Sequence, residues 1–226
     1  MSDSTSDESH RPTRGVVVDD PDAVVDGKTL TQWVEKYISW TFNAPFVSQN
    51  GPNTINDPTG SVAQELNPRG GEMYFITGAP SSDVPREFYV RPGESVLVPV
   101  QVFEDSEGPS IPPSIPNFNG SYADEVKTVL ASDLSQLVNG AVTLDGEMVT
   151  PLPKLNTGIF SAGVATQGSV GEAVTGADAG ASLGTSGAAG YFVVLKDLGL
   201  GTHTFTDTTT FADGHTDTHI DNIIVG

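Results

Sequence analysis

Four residues near the C-terminus have the types and spacing of metal ligands. His215, Asp217, His219 and Asp221 alternate with Thr216, Thr218 and Ile220. Successive side chains of an extended strand point to opposite faces, so these four would share one face. His203 stands on the preceding extended run and reaches that face if the two runs pair as a hairpin. Imidazole and carboxylate together suit Zn, Mn, Fe or Ni. A cupin-like jelly roll would carry such ligands inward, which makes a metal-dependent enzyme using His203, His215 and His219 the catalytic alternative. The competing reading is a solvated strand face, where alternating polar side chains are ordinary and the Thr/Ile face is the buried one. No catalytic residue is assigned on this basis. No cofactor is expected, with a divalent metal as the alternative.

Other constellations carry less. The acidic turns Asp19-Asp20-Pro21-Asp22 and Asp57-Pro58-Thr59-Gly60 offer oxygen ligands for Ca²⁺ without the spacing of an EF-hand loop. Gly180-Ala-Ser182-Leu-Gly184 matches a nucleophile elbow in letters only, since that turn needs a strand before it and a helix after it. Asn119-Gly120-Ser121 has the form of a glycosylation sequon. Thr202, Thr204, Thr206 and Thr208 form a threonine ladder, but an ice- or glycan-binding surface needs several strands in register. Trp33, Tyr37 and Trp40 are candidates for a partner- or glycan-binding platform, against a structural role in the core.

The elements that must position these residues are mostly strands. Glu72–Gly78, Arg86–Gly93 and Glu94–Phe103 alternate apolar and polar groups and are punctuated by glycine and Pro-Gly. Val96, Val98, Val100 and Val102 are placed on one face. Val16–Val18 and Val24–Val25 read as a first strand pair. A helix over about residues 29–42 starts at Thr29 with Gln32 completing a capping box, and Leu30, Trp33, Val34, Tyr37 and Ile38 make its apolar face. A second helix covers about 121–137, capped by Ser121. Residues 46–71 read as an irregular connection, and 109–116 as a polyproline II segment. Asp145-Gly146 is the turn of a hairpin over 141–149. Residues 168–190, rich in glycine and alanine, read as a mobile loop.

The sum is a mainly β chain: a jelly-roll-like antiparallel β-sandwich with two amphipathic helices. Residues 1–14 are expected to be a disordered acidic tail, and 15–226 a single domain.

Composition narrows the function classes. The 226-residue chain holds 29 acidic against 10 basic residues, a net charge of −19. Phosphate binding needs a positive footprint, so nucleic acid is not an expected partner. An anionic lipid surface is disfavoured for the same reason, and no apolar run is long enough to insert in a membrane. High acidity keeps a protein dispersed where salt screens repulsion, which points to a marine or halophilic setting. The absence of cysteine excludes disulfides and thiolate chemistry. The polar N-terminus carries no secretory signal in this chain.

The order of pieces resembles a group of bacterial proteins common in environmental and marine species. The matching positions are Trp33 to Trp40, Asp57-Pro58-Thr59-Gly60, Met73 to Gly78 and Arg91-Pro92-Gly93 to Pro99. Further on they are Tyr122 to Leu137, Asp145-Gly146, and Gly190-Tyr191 with Gly201-Thr202-His203-Thr204. The resemblance spans about residues 28–225 and implies no particular activity. The expected function is that of a non-enzymatic structural or interaction module, bound to a protein partner or self-assembled. The expected place is extracellular or on a virion or cell surface, without an N-terminal signal peptide. The cytoplasm of a halophile is the alternative.

Overall fold

The chain, seen in a computed structural model that describes residues 15–46, 52–67, 71–78, 84–107, 115 and 118–226, is mainly β with four helices. In chain order the elements are β1 (Val16–Val18), β2 (Val24–Val25), β3 (Lys28–Thr29), α1 (Leu30–Asn43), α2 (Ser61–Leu66), β4 (Tyr74–Phe75), β5 (Arg86–Val90) and β6 (Val96–Ser106). They continue with α3 (Tyr122–Gln136), β7 (Leu137–Leu144), β8 (Glu147–Val149), β9 (Leu155–Asn156), β10 (Phe160–Ser161), α4 (Val170–Thr175), β11 (Thr185–Lys196), β12 (Gly201–Phe211) and β13 (Thr216–Val225). The expected tail over 1–14 and, apart from Ile115, the expected polyproline segment lie outside the described residues.

One sheet runs β1-β11-β6-β4, with β9 and β10 sharing the β1 edge of β11. A second runs β5-β13-β12-β7-β8, and β2 and β3 form a small pair. Tyr191, Val193 and Leu195 of β11 and Val96 and Val98 of β6 pack with Phe88, Val142, Phe205 and Ile223 of the second sheet in one cluster. On the opposite face of the first sheet, Phe192 and Val194 pack under Leu30, Trp33, Val34, Tyr37 and Ile38 of α1. The layers are therefore α1, first sheet, second sheet. Helix α2 packs at the β5 edge of the second sheet, where Gln64 accepts from the Tyr89 N–H, and the outward threonines of β12 are half-buried or exposed.

Several expectations are corrected. The sheets are not wholly antiparallel: β13 pairs β5, and β6 pairs β4, in parallel. Val16–Val18 does not pair with Val24–Val25 but with Val194–Lys196 far along the chain. Residues 46–71 contain α2. The reading of 168–190 as a loop fails at α4 and at the start of β11. The small residues there are required by packing. A Cβ on Gly187 would stand 2.7 Å from Leu130 Cδ1, and one on Gly190 would stand 1.9 Å from the Gln101 carbonyl oxygen.

The valines of β6 do not all share a face. Tyr191 is opposite Gln101 and Phe192 opposite Pro99, so Val100 is the extra residue of a β-bulge. The bulge switches the parity, and Val102 packs with the α1 cluster. Helix starts and the hairpin follow their local signals. Thr29 and Gln32 form the reciprocal capping box of α1, Ser121 caps α3, and β7 and β8 join through Asp145-Gly146 with positive φ at both.

Candidate functional site

The polar face of β13 turns inward. Asp217 and His219 are half-buried and Asp221 is buried, while Thr216 is exposed and Thr218 and Ile220 look outward. The expectation that the Thr/Ile face would be the buried one is reversed. The reason is that each inward polar group has a partner. Asp221 receives Nε and Nη2 of Arg86 on its two oxygens at 2.7 and 2.9 Å, a bidentate pair with both side chains buried. The third Arg86 arm, Nη1, donates to the Thr77 carbonyl at 2.7 Å. The Thr77 hydroxyl donates to Asp57 Oδ2 at 2.8 Å, and the guanidinium lies over the Phe88 ring. Next along β13, His219 Nδ1 meets Asp207 Oδ1 of β12 at 3.0 Å.

The imidazoles are not brought together. His203 is opposite Ile223 and His219 opposite Asp207, four residues apart along the strand pair, or roughly 13 Å. His203 is buried, with Nδ1 on Asp145 Oδ2 at 2.7 Å and Nε2 on the Gly199 carbonyl at 2.9 Å. His215 lies before the strand, exposed, with Nε2 on Asp217 Oδ1 at 2.8 Å. Among the described residues no group of three or more His, Asp or Glu side chains stands close enough to hold a metal ion. Asp57 is likewise occupied: it accepts from the backbone of Gly60, Val62 and Ala63 at the start of α2.

The aromatic candidates are not a surface platform. Trp33 and Tyr37 are buried, Trp33 Nε1 donates to the Val25 carbonyl, and Trp40 packs on Tyr37 and Phe75. Ser182 sits at an isolated bridge to Val164 and leads into β11 rather than a helix, and Ser121 is spent on the α3 cap.

Where these polar groups converge there is a cavity of about 210 Å³, lined by Tyr37, Thr54, Thr77, Arg86, Gln101 and His219 among others. The β6 bulge forms one wall. The sequence singled out Tyr37 and His219 and missed Arg86, Asp207 and Gln101. A signal for Asp207 existed: it shares parity with Phe205 and His203, so it had to face the core.

Burial pushes the Asp207 carboxyl up to about 6, with the His219 contact opposing. The hydrogen bond to Asp207 holds His219 above its ordinary value. Burial pushes the Tyr37 phenol up to about 12, so it is a neutral hydroxyl at pH 7. Both members of the His219–Asp207 pair thus hold a proton more tightly folded than unfolded. Their contribution is full below the unfolded values of 3.8 and 6.5, and is lost as pH rises through the raised folded values. The melting temperature should therefore fall as pH rises from about 4 through the raised folded values, at fixed ionic strength. Asp207→Asn should flatten the lower part of that slope. A wild-type slope equal to that of the variant would show that the pair does not titrate with folding.

No family model matches the chain, and no curated protein matches it. Among solved structures, the solution structure of Amebosin aligns over 62% of this chain and 89% of that one. Identity there is 12% and the TM-score 0.24, a likeness that assigns neither fold nor function. Among the described residues no helix is long and apolar enough to cross a membrane.

Proposed function

We propose that the protein is a non-enzymatic interaction module, built as a jelly-roll-like sandwich, that assembles with copies of itself as a component of a particle or cell-surface layer. The observation that carries this is the outer face of the second sheet. Every second residue of β12 from Thr202 to Thr210 faces outward, in register with Ile224, Asn222, Ile220, Thr218 and Thr216 of β13. Asn139, Ala141 and Thr143 of β7 continue the rows on one side, and Tyr89 and Glu87 of β5 on the other. Glu87 is the one charged side chain in these rows.

That arrangement inverts the usual one, in which an antiparallel sheet solvates its charges and buries its apolar face. Here Arg86, Asp207, His219 and Asp221 point in, and hydroxyls and isoleucines point out. In a chain of net charge −19 the depletion is informative, because charged residues are scarce at the centres of interfaces. A face whose rows carry a single carboxylate, Glu87 on the edge strand β5, is also what two strongly acidic copies need in order to approach. Eleven residues at ~3.4 Å and five strands at ~4.8 Å give a face on the order of 800 Å². That is about the area each partner contributes to a standard interface.

Light scattering on a sizing column, from about 0.1 to 2 M NaCl, tests the reading. Association should appear as salt screens the repulsion, and Thr206→Glu, at the centre of the face, should keep the protein monomeric with its melting temperature little changed. A monomer at every salt and at high concentration would overturn the proposal. So would a Thr206→Glu variant that associates like the wild type.

A further inference from the structure

We propose that the cavity beneath the β6 bulge is a binding site for a small neutral polyhydroxylated molecule, with Arg86, His219 and Gln101 as its polar contacts. The cavity differs from an ordinary core void in what lines it. A guanidinium carries five N–H groups, and three of those on Arg86 are taken by Asp221 and Thr77. The other two have no acceptor among the described residues, and Arg86 lines the cavity. His219 is fixed through Nδ1 by Asp207, which leaves Nε2 without a hydrogen-bond partner among the described residues. The Gln101 amide, half-buried on the bulge, likewise has no side-chain partner there and offers both donors and an acceptor. Donors and acceptors in convergent positions, on a largely apolar frame, are the make-up of a small-molecule site.

The bulge is the second line of support. In an unbroken strand Gln101 would share the face of Leu97, which packs in the α1 cluster. The extra residue Val100 gives that face to Val102 instead and turns Gln101 to the side of the cavity, with Arg86 and His219. Bulges of this kind accompany sites where a side chain must be redirected. Gly190, opposite Val102 beside the bulge, is what lets the two strands close there, since a Cβ on it would meet the Gln101 carbonyl.

Charge selects the ligand class. Each cation lining the cavity has its own carboxylate: Asp221 for Arg86 and Asp207 for His219. Asp57 stands behind Thr77 as a further negative group. An anion entering would meet no uncompensated positive charge and would have to cross the field of a chain with net charge −19. A cation would face the donors of Arg86. A neutral molecule that both donates and accepts satisfies the lining without adding charge. The volume of about 210 Å³ equals roughly seven waters at ~30 Å³ each, or one molecule the size of a small polyol or single sugar ring.

Isothermal titration with erythritol, ribose and glucose tests the proposal, with acetate and inorganic phosphate as anionic comparators. At least one of the three polyols should bind saturably, in the millimolar range or tighter. Gln101→Leu should weaken that binding tenfold or more while leaving the melting temperature of the free protein unchanged. Should Gln101→Leu misfold, His219→Gln serves as the second variant and should show the same loss. Polyols also stabilise proteins by exclusion from the surface, but that effect does not saturate and acts equally on both proteins. Saturable binding by none of the three means a cavity holding water only, and overturns the proposal. Tighter binding of acetate or phosphate, or a Gln101→Leu variant that binds as well as the wild type, overturns it too.

Discussion

Asp221→Ala should destabilise the protein by about 3–5 kcal/mol, the loss expected when one partner of a buried ion pair is removed. Arg86 would be left with an uncompensated charge in a site where its side chain is 7% exposed and that of Asp221 not at all. The guanidinium cannot shed its proton, so it must draw in water or swing out past Phe88. Either route disturbs the junction of β5 with β13, which pair in parallel through Asp221 and Arg86. Urea unfolding measures this, and a midpoint shift at constant slope would confirm that the folded state lost stability. Replacing both residues with apolar ones, Arg86→Met with Asp221→Leu, should recover part of the loss, because the desolvation of two charges is removed together. Recovery would be incomplete, since the Thr77 carbonyl loses its donor at a cost of about 1–3 kcal/mol. A double variant as unstable as Asp221→Ala would mean that the charge pair is not what the site depends on.

What was legible in the sequence was local. Thr29 and Gln32 announce α1 because both halves of a capping box lie within four residues, and Ser121 announces α3 as a single N-cap whose side chain accepts from the Asp124 N–H. The Asp145-Gly146 turn needs only its own backbone. What was not legible depends on residues far apart. β1 is three valines whose partner is the distant end of β11, so pairing with the nearer Val24–Val25 was the natural inference. The start of β11 reads as a loop because glycine and alanine carry no periodicity, yet smallness is what α3 and β6 demand of them. The last strand shows the limit most plainly. Its period of two was visible, but the choice of inner face rests on Arg86, 135 positions away, and on Asp207. Hydropathy favours Thr/Ile as the buried set, and hydropathy loses once each inward charge has a partner.

Asp57→Ala should be the second large effect, on the order of 3 kcal/mol, because one carboxylate does four jobs. It accepts from Gly60, Val62 and Ala63 at 2.9–3.0 Å, which are donors that the first turn of α2 cannot satisfy within the helix. It also accepts the Thr77 hydroxyl, and Thr77 in turn carries one arm of Arg86. Loss of a capping side chain alone costs about 0.5–2 kcal/mol, and the buried Thr77 hydroxyl left without its acceptor adds about 1–3. Asp57→Asn keeps one acceptor oxygen and turns an amide donor toward the remaining N–H groups, so it should lose about half as much as alanine. The chain of contacts from Asp57 through Thr77 to Arg86 also predicts non-additivity. Asp57→Ala combined with Asp221→Ala should deviate from the sum of the two by at least about 0.5 kcal/mol, since both act on the same guanidinium. An additive pair would separate the α2 cap from the Arg86 site. An Asp57→Ala effect within about 0.5 kcal/mol of zero would place Asp57 among ordinary surface carboxylates, against its full burial.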